Sequence, residues 1–262
     1  MLKKYRKSLL TALYCGLFAL SPAFAQEKGE RPAPEIIREW VKAGIGYYEG
    51  NPITRKNPEK ALGFFKKAAR YDDPEALYYL AVMRQAGETV EPEDEMEYFK
   101  RSAEGGYPQA QTVMGVYHIY EALKHQPDSP LYTSEYKTAA EWLKPAAEAG
   151  EAEGQFWYGE LLMKGLGMEK DQTAGWKWLQ TSAEHGNVRS QSMLGAYYWQ
   201  GTDTVKIDLE KAYQWMTIAK TNHHNKAEVF MERIAQKLTP EQVKIATAKA
   251  EAWLAKHPAP KN

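Results

Sequence analysis

Apolar and small residues recur along most of this chain three and four positions apart, the spacing of one buried stripe on a helix. From Glu35 onward two such patterns alternate. In the first, B, a small residue leads to an aromatic and then to a small pair: Ala61-Leu62-Gly63-Phe64 and then Ala68-Ala69, or Ala139-Ala140-Glu141-Trp142 and then Ala146-Ala147. In the second, A, a run such as Ala110-Gln111-Thr112-Val113-Met114-Gly115 or Ser190-Gln191-Ser192-Met193-Leu194-Gly195 leads to a glycine in mid-helix. Short turns join B to A, as at Glu104-Gly105-Gly106-Tyr107-Pro108 and Glu184-His185-Gly186-Asn187. There glycine supplies the left-handed helix stop, and Pro108 or Pro74 fits the start of the next helix. Loops such as Gly165-Leu166-Gly167-Met168-Glu169-Lys170-Asp171 lead from A to the next B.

The two patterns keep register with each other. Phe64, Tyr98, Trp142, Trp178 and Trp215 form an aromatic column with steps of 34, 44, 36 and 37 by subtraction. Ala68, Ser102, Ala146, Ser182 and Ala219 follow it four residues later. Two further columns are Ala76, Ala110, Gly154, Ser190, Ala227 and Leu80, Met114, Tyr158, Leu194, Met231. A period near 36 marks stacked supersecondary units and predicts one elongated all-α domain. Gly115, Gly159 and Gly195 each forfeit about 1 kcal/mol of helix propensity, so a partner helix is expected to approach closely there. The small pair of B is the expected partner, with the aromatic one turn earlier filling the wedge between diverging helices. The step of 44 places eight extra residues near Glu121–Ser134, where Gln126-Pro127-Asp128-Ser129-Pro130 predicts an enlarged loop after a lengthened helix. At the far end Thr239-Pro240-Glu241-Gln242 has the form of a capping box. The one-sided helix after it, with Val243, Ala246, Ala250, Trp253 and Leu254, is expected to cover the last open repeat face.

The first 25 residues stand outside this pattern. Lys3, Lys4, Arg6 and Lys7 precede an apolar run from Ser8 to Leu20, and Ala23-Phe24-Ala25 offers small residues for cleavage, so a signal peptide cut after Ala25 is expected. The single cysteine, Cys15, lies inside it, leaving the mature chain no thiol, disulfide or cysteine metal site. Removing the four basic residues changes 34 against 34 into 30 against 34, a formal −4. That balance points to neither nucleic acid nor an anionic membrane surface, both of which need basic clusters.

The columns resemble the Sel-one-like repeat family, a relative of the tetratricopeptide repeats. Gly175-x-x-Trp178-x-x-Thr181-Ser182-Ala183-Glu184-x-Gly186-x-x-x-Ser190-Gln191-x-x-Leu194-Gly195-x-x-Tyr198-x-x-Gly201 follows the family pattern closely. Residues 139–167 do so as well, while the units at 61 and 95 depart at Ala81, Arg84 and His118. The resemblance implies a right-handed α/α solenoid of about five helix pairs over residues 35–238, after a lead-in at 26–34 and before a capping helix at 239–257. It also implies A helices lining a concave groove and a scaffold or adaptor role, which the expected signal peptide puts in the periplasm or outside the cell. Relatives of that kind include immunity proteins against secreted lipase-type effectors. Cysteine-rich relatives linked to penicillin binding carry a disulfide in every repeat, which this chain lacks.

Chemistry is thin by comparison. His118, His125, His185, His223, His224 and His257 show no third ligand at a metal-binding spacing. His118 sits in a packing column, where a ring bonded to backbone is the plain expectation. No G-x-S-x-G or H-E-x-x-H occurs, and Gly165-Leu166-Gly167 lacks the strand and lysine of a phosphate loop. No catalytic residue, cofactor or metal is therefore assigned, and a monomer with a protein partner is expected. An envelope hydrolase or penicillin-interacting protein, and a plain structural spacer, are the rival readings. Counted from the glycine column, positions −3, +1 and +4 fall off the packed stripe and are expected to face the groove. Tyr48, Tyr78, Ile119, Phe156, Met163 and Trp199 are the expected apolar anchors, with Glu160 and Arg233 giving polar specificity.

Overall fold

Side chains that accept hydrogen bonds from the backbone three residues on set most helix starts. Asn57, Asp73, Ser129, Asp171, Asn187, Asp208 and Thr239 each cap a helix this way. Proline follows directly after Asn57, Asp73, Ser129 and Thr239, where its missing N–H costs nothing. The computed structural model describes residues 31–89 and 94–257, and among these it contains twelve α-helices and no strand. They are α1 (Pro34–Glu49), α2 (Pro58–Ala69), α3 (Pro74–Gln85), α4 (Glu95–Glu104), α5 (Pro108–Ala122) and α6 (Pro130–Glu148). Then come α7 (Ala152–Lys164), α8 (Gln172–Glu184), α9 (Val188–Gln200), α10 (Leu209–Thr221), α11 (Ala227–Ala235) and α12 (Pro240–Lys256). The all-α class and the alternation of A and B helices are as expected. The expected signal peptide, and the lead-in up to residue 30, lie outside the described residues.

The chain divides after Ala110, within α5, into two compact units. In the first, α1 packs on α2, α2 on α3 and α3 on α4. In the second, successive helices from α6 to α11 pack in pairs, and α12 returns to lie on α10. Gly115 of α5 sits against Leu143 and Ala139 of α6, and Ile119 joins the core around Tyr136, so α5 and α6 run antiparallel.

The packing inside three of the pairs differs from the expected one by a single position. A Cβ on Gly44 would strike Phe65, one on Gly115 would strike Leu143, and one on Gly195 would strike Met216. Each of these is the residue after the aromatic column, and Phe65, Phe99, Leu143, Leu179 and Met216 are all at most 2 % exposed. Of the aromatic column itself only Tyr98 is fully buried; Phe64, Trp142, Trp178 and Trp215 are half-buried. A helix turns about 100° per residue, so one position is enough to exchange a core-facing side chain for a flanking one.

Serines of the small pairs bond to the starts of the preceding A helices, and Ser182 also meets the start of the following one. Ser182 Oγ donates to the Ala152 carbonyl at 2.6 Å, Ser190 Oγ donates to Ser182 Oγ at 2.7 Å, and Ser102 Oγ donates to the Pro74 carbonyl at 2.5 Å. Buried glutamines run beside these contacts. Gln155 Nε2 donates to the Ala147 carbonyl at 3.1 Å, and its Oε1 lies 2.9 Å from His185 Nδ1. Gln191 repeats the arrangement, donating to Ala183 at 3.2 Å and accepting from Asn222 at 2.9 Å.

The expected enlarged loop is absent. The segment between α5 and α6 is only residues 123–129, no longer than residues 50–57 or 201–208 between other pairs. The extra residues lengthen α5 to 15 residues and α6 to 19. Gln126-Pro127-Asp128-Ser129 closes this short connection and Pro130 starts the next helix, with Ser129 as cap. The added turns bury Tyr136 and bring Glu135 to His118. The loop after α7 lies directly on them: a Cβ on Gly167 would come within 2.5 Å of the Lys137 nitrogen, and its φ of +72° also favours glycine.

α12 begins with the expected capping box, Thr239 and Gln242 bonding reciprocally. Ala246 and Ala250 are fully buried, Trp253 meets Trp215 edge-on at 5.8 Å, and Gln242 reaches Glu210 at 3.2 Å.

Candidate partner-binding face

Helix packing takes up most of the side chains expected to line a free face. In the first unit Tyr48 is half-buried, edge-on to Tyr79 at 5.7 Å, with Lys56 above its ring at 5.4 Å. Burial raises its pKa, and the charges of Glu88 and Glu49 add to the effect. Tyr78 packs within a cluster of Tyr79, Phe99 and Tyr107, with centroids 5.7, 5.8 and 5.0 Å away.

In the second unit three of the expected anchors are core residues. Ile119 is 5 % exposed and packs with Tyr136 and Leu143; Phe156 is 6 % exposed and packs with Leu179 and Leu194. Glu160 is 8 % exposed, one carboxylate oxygen paired with Lys164 and the other buried. The reason is geometric. In these tightly stacked pairs positions −3 and +1 of α7 and position +4 of α5 turn toward the neighbouring helix, so Phe156, Glu160 and Ile119 are not anchors on an open face. Met163 is half-buried beside Gly175, and Trp199 is half-buried against Phe230 at 5.6 Å. Of the eight, Arg233 alone is exposed, one turn after exposed Val229 on α11.

A different row emerges at positions −6, −2 and +2. On α7 Glu153 and Trp157 lie one turn apart; on α9 Arg189, Met193 and Tyr197 follow at the same spacing. The Arg189 guanidinium lies 4.8 Å from the Phe156 ring and 5.0 Å from the Trp157 ring, and it pairs with Glu153. Glu153 also accepts from Trp157 Nε1 at 2.9 Å and from Asn187 Nδ2 at 2.8 Å, so Arg189 is held from two sides. Tyr197 meets Trp176 edge-on at 5.7 Å, and its pKa is raised by burial and by the charge of Glu160. Trp157, Arg189, Met193 and Tyr197 are half-buried, which leaves part of each in water. The sequence held a signal for this row, the i, i+4 spacing of Arg189, Met193 and Tyr197.

The ring of His118 bonds a carboxylate and not the expected backbone group: its Nδ1 lies 2.7 Å from Glu135 Oε2. Among the described residues no group of three or more His, Cys, Asp or Glu is placed to hold a metal ion, and no helix is long and apolar enough to cross a membrane.

The sequence profile of the Sel1 repeat matches residues 42–71, 74–107, 132–151, 152–187 and 188–224, more than half of the chain. Among solved structures, a protective antigen of uropathogenic Escherichia coli with an SLR fold is 29 % identical over 84 % of this chain, with a TM-score of 0.67. This chain spans 46 % of that protein's length. A Sel1 repeat protein of Oxalobacter formigenes is 26 % identical, with a TM-score of 0.62 and coverage of 86 % of this chain and 89 % of its own. An immunity protein of Pseudomonas aeruginosa is 16 % identical, with a TM-score of 0.49 over 88 % of this chain and 90 % of its own.

Proposed function

This chain belongs to the Sel1 repeat family, and on that premise we propose that it is a non-enzymatic scaffold that binds a protein partner through the α7–α9 face of its second unit. The observation that carries this reading is the row of Trp157, Arg189 and Tyr197. Trp, Tyr and Arg are the residues on which binding energy concentrates at protein interfaces, because they combine large apolar area with a polar tip. Here Arg189 is already stacked and paired, so less side-chain entropy remains to be lost on binding.

The finer reading places the protein in the periplasm after removal of residues 1–25 and makes it a monomeric immunity protein for a secreted, lipase-type effector. Its support is the apolar N-terminal run with Ala23-Phe24-Ala25 and the family resemblance. The scaffold reading is tested by immobilising the purified chain, capturing partners from envelope extract and identifying them by mass spectrometry. A Trp157→Ala, Tyr197→Ala double variant with an unchanged circular dichroism spectrum is expected to lose the captured protein. Full capture by that folded variant refutes the assignment of the face. The immunity reading is tested by sequencing the flanking genes for a secreted lipase-type effector and expressing it with and without this chain, and it fails if no such gene is found or survival is the same.

A further inference from the structure

Two A-to-B connections, one in each unit, are built alike, yet they differ in charge. In the first unit Asn51 Oδ1 accepts from the backbone of Ile53 and Thr54 at 2.9 and 2.7 Å, and the Asn57 nitrogen donates to the Tyr47 carbonyl at 2.7 Å. In the second unit Thr202 Oγ1 accepts from Thr204 and Val205 at 3.2 and 3.0 Å, and the Asp208 nitrogen donates to the Tyr198 carbonyl at 2.8 Å. Each turn also holds a lysine above a tyrosine ring, Lys60 over Tyr47 and Lys211 over Tyr198, both at 5.2 Å. A cavity lies behind each turn, about 390 Å³ in the first unit and about 260 Å³ in the second.

Their linings separate them. The first is formed by Tyr47, Ile53, Thr54, Arg55, Lys56, Asn57 and Lys60, three cations and no acid. In the second the helix cap is Asp208 where the first has Asn57. That carboxylate pairs with Lys211 at 3.5 Å, and Ile207 stands where the first has Lys56. Among the described residues Arg55, Lys56 and Lys60 have no carboxylate within ion-pairing distance. Glu49 and Glu88 lie near Tyr48, but neither lines the cavity. Ile53, at the rim, is 96 % exposed, an apolar side chain set among three cations.

We infer that the cavity behind residues 50–60 is a docking point for an acidic, apolar-bearing segment of a protein partner. The inference rests on the scaffold reading and adds a second contact in the first unit. Uncompensated cations draw carboxylates, and facing opposite charges across an interface sets register and encounter rate. Ile53 and the Tyr47 ring offer apolar contact that a nucleic-acid backbone has no group to use. A chain with 34 basic against 34 acidic residues also has no general attraction for polyanions, so the selectivity is local.

The experiment uses the purified full chain and a labelled synthetic peptide of alternating glutamate and leucine, read by fluorescence anisotropy. Saturable binding is expected, weakening as salt is raised to about 0.5 M. Arg55→Glu with Lys56→Glu should weaken it by about tenfold or more, and Arg55→Gln with Lys56→Gln by less. Lys206→Glu with Lys211→Glu, at the equivalent turn, should leave it unchanged, as should Trp157→Ala with Tyr197→Ala. Equal loss in both charge-reversed pairs, tighter binding to phosphatidylglycerol vesicles than to the peptide, or no saturable binding overturns the inference. If the Trp157, Tyr197 variant loses its captured partner while peptide binding persists, both readings stand. If the peptide fails while that capture persists, only this one falls.

Discussion

Gly175→Ala should destabilise the second unit although alanine is the better helix former. The reason lies where α7 and α8 cross. A Cβ on Gly175 would come 2.7 Å from the Gly159 carbonyl oxygen and 2.9 Å from the Met163 nitrogen; one on Gly159 would come 3.0 Å from the Gly175 oxygen. These obstacles are backbone atoms of a packed helix, so no side-chain rotation relieves them and the helices must part locally. Overpacking of this kind costs about 1–3 kcal/mol, with two backbone atoms placing it in the upper half, and alanine returns about 1 kcal/mol of helix propensity. The net expectation is a loss of about 1–2 kcal/mol. Gly63 of α2 is the control, because it is exposed and nothing lies within 4 Å of its Cβ position. Gly63→Ala should therefore gain about 0.5–1 kcal/mol. The two variants are compared by urea unfolding, followed by tryptophan fluorescence and circular dichroism. Trp176 and Trp178 flank the crossing and report on it directly. Equal or greater stability of Gly175→Ala relative to the unmodified chain would refute the claim that close backbone approach selects glycine here.

Gln191→Ala, in a fully buried residue with two hydrogen bonds, should cost about 2–3 kcal/mol in urea unfolding, since Asn222 loses its acceptor. Met193→Ala, at a half-buried position of the α9 row, should cost clearly less than Leu194→Ala, whose side chain is 1 % exposed; the Leu194 variant should lose about 2–4 kcal/mol. His224 has its pKa lowered from 6.5, first by burial and then by Lys226, and its Nδ1 is buried without a partner. The unfolded chain therefore binds the proton more readily, and this site's stabilisation is present above pH 6.5 and declines as pH falls below it. His224→Gln should lose that acid-side slope in its thermal-melt profile against pH. Glu151 has the opposite sense, its pKa raised chiefly by burial. Its share of stability is present below about pH 4.5 and is lost as pH rises through the higher folded value, so Glu151→Gln should flatten that part of the curve.

The helix pairs were legible because their punctuation is local. A cap side chain bonds a backbone group three residues on, so Thr239 and Gln242, or Asn187 and Ser190, need nothing distant to declare a helix start. The two packing faces of B were harder to separate. Phe64 and Phe65, or Trp178 and Leu179, are neighbours in sequence, and either column fits a helical period. The tryptophans repeat in kind and catch the eye, while the core column varies among Phe, Leu and Met because each crossing leaves a different volume. What distinguishes them is the partner atom, such as Leu143 against Gly115, and that contact is not written in either helix alone. The same limit explains the misplaced anchors. Ile119 and Phe156 are apolar at positions that a lone helix would expose, and only the neighbouring helix buries them. The extra residues in the third unit are a case of local punctuation misread. Pro127 and Pro130 mark a break, but a break between two long helices and one between two short helices with a long loop contain the same residues.

Repetition in this chain belongs to packing, and distinctness arises where a repeated position changes its chemistry. The buried glutamines illustrate the first half: Gln155 and Gln191 make the same bond to the preceding B helix, and their outer ends meet His185 in one case and Asn222 in the other. Such bonds hold neighbouring units in register without exposing anything a partner could read. The turns after α1 and α9 illustrate the second half. They share backbone bonds, a capped helix start and a lysine over a tyrosine, so their scaffolding is interchangeable. Exchanging Asn57 for Asp and Lys56 for Ile would bring the first cavity close to the charge of the second without disturbing either cap, since Asp serves as well as Asn at that position. Two side chains, exchangeable because Asp and Asn cap equally well and the turn keeps its backbone bonds, are enough to separate a cationic cavity from a nearly balanced one.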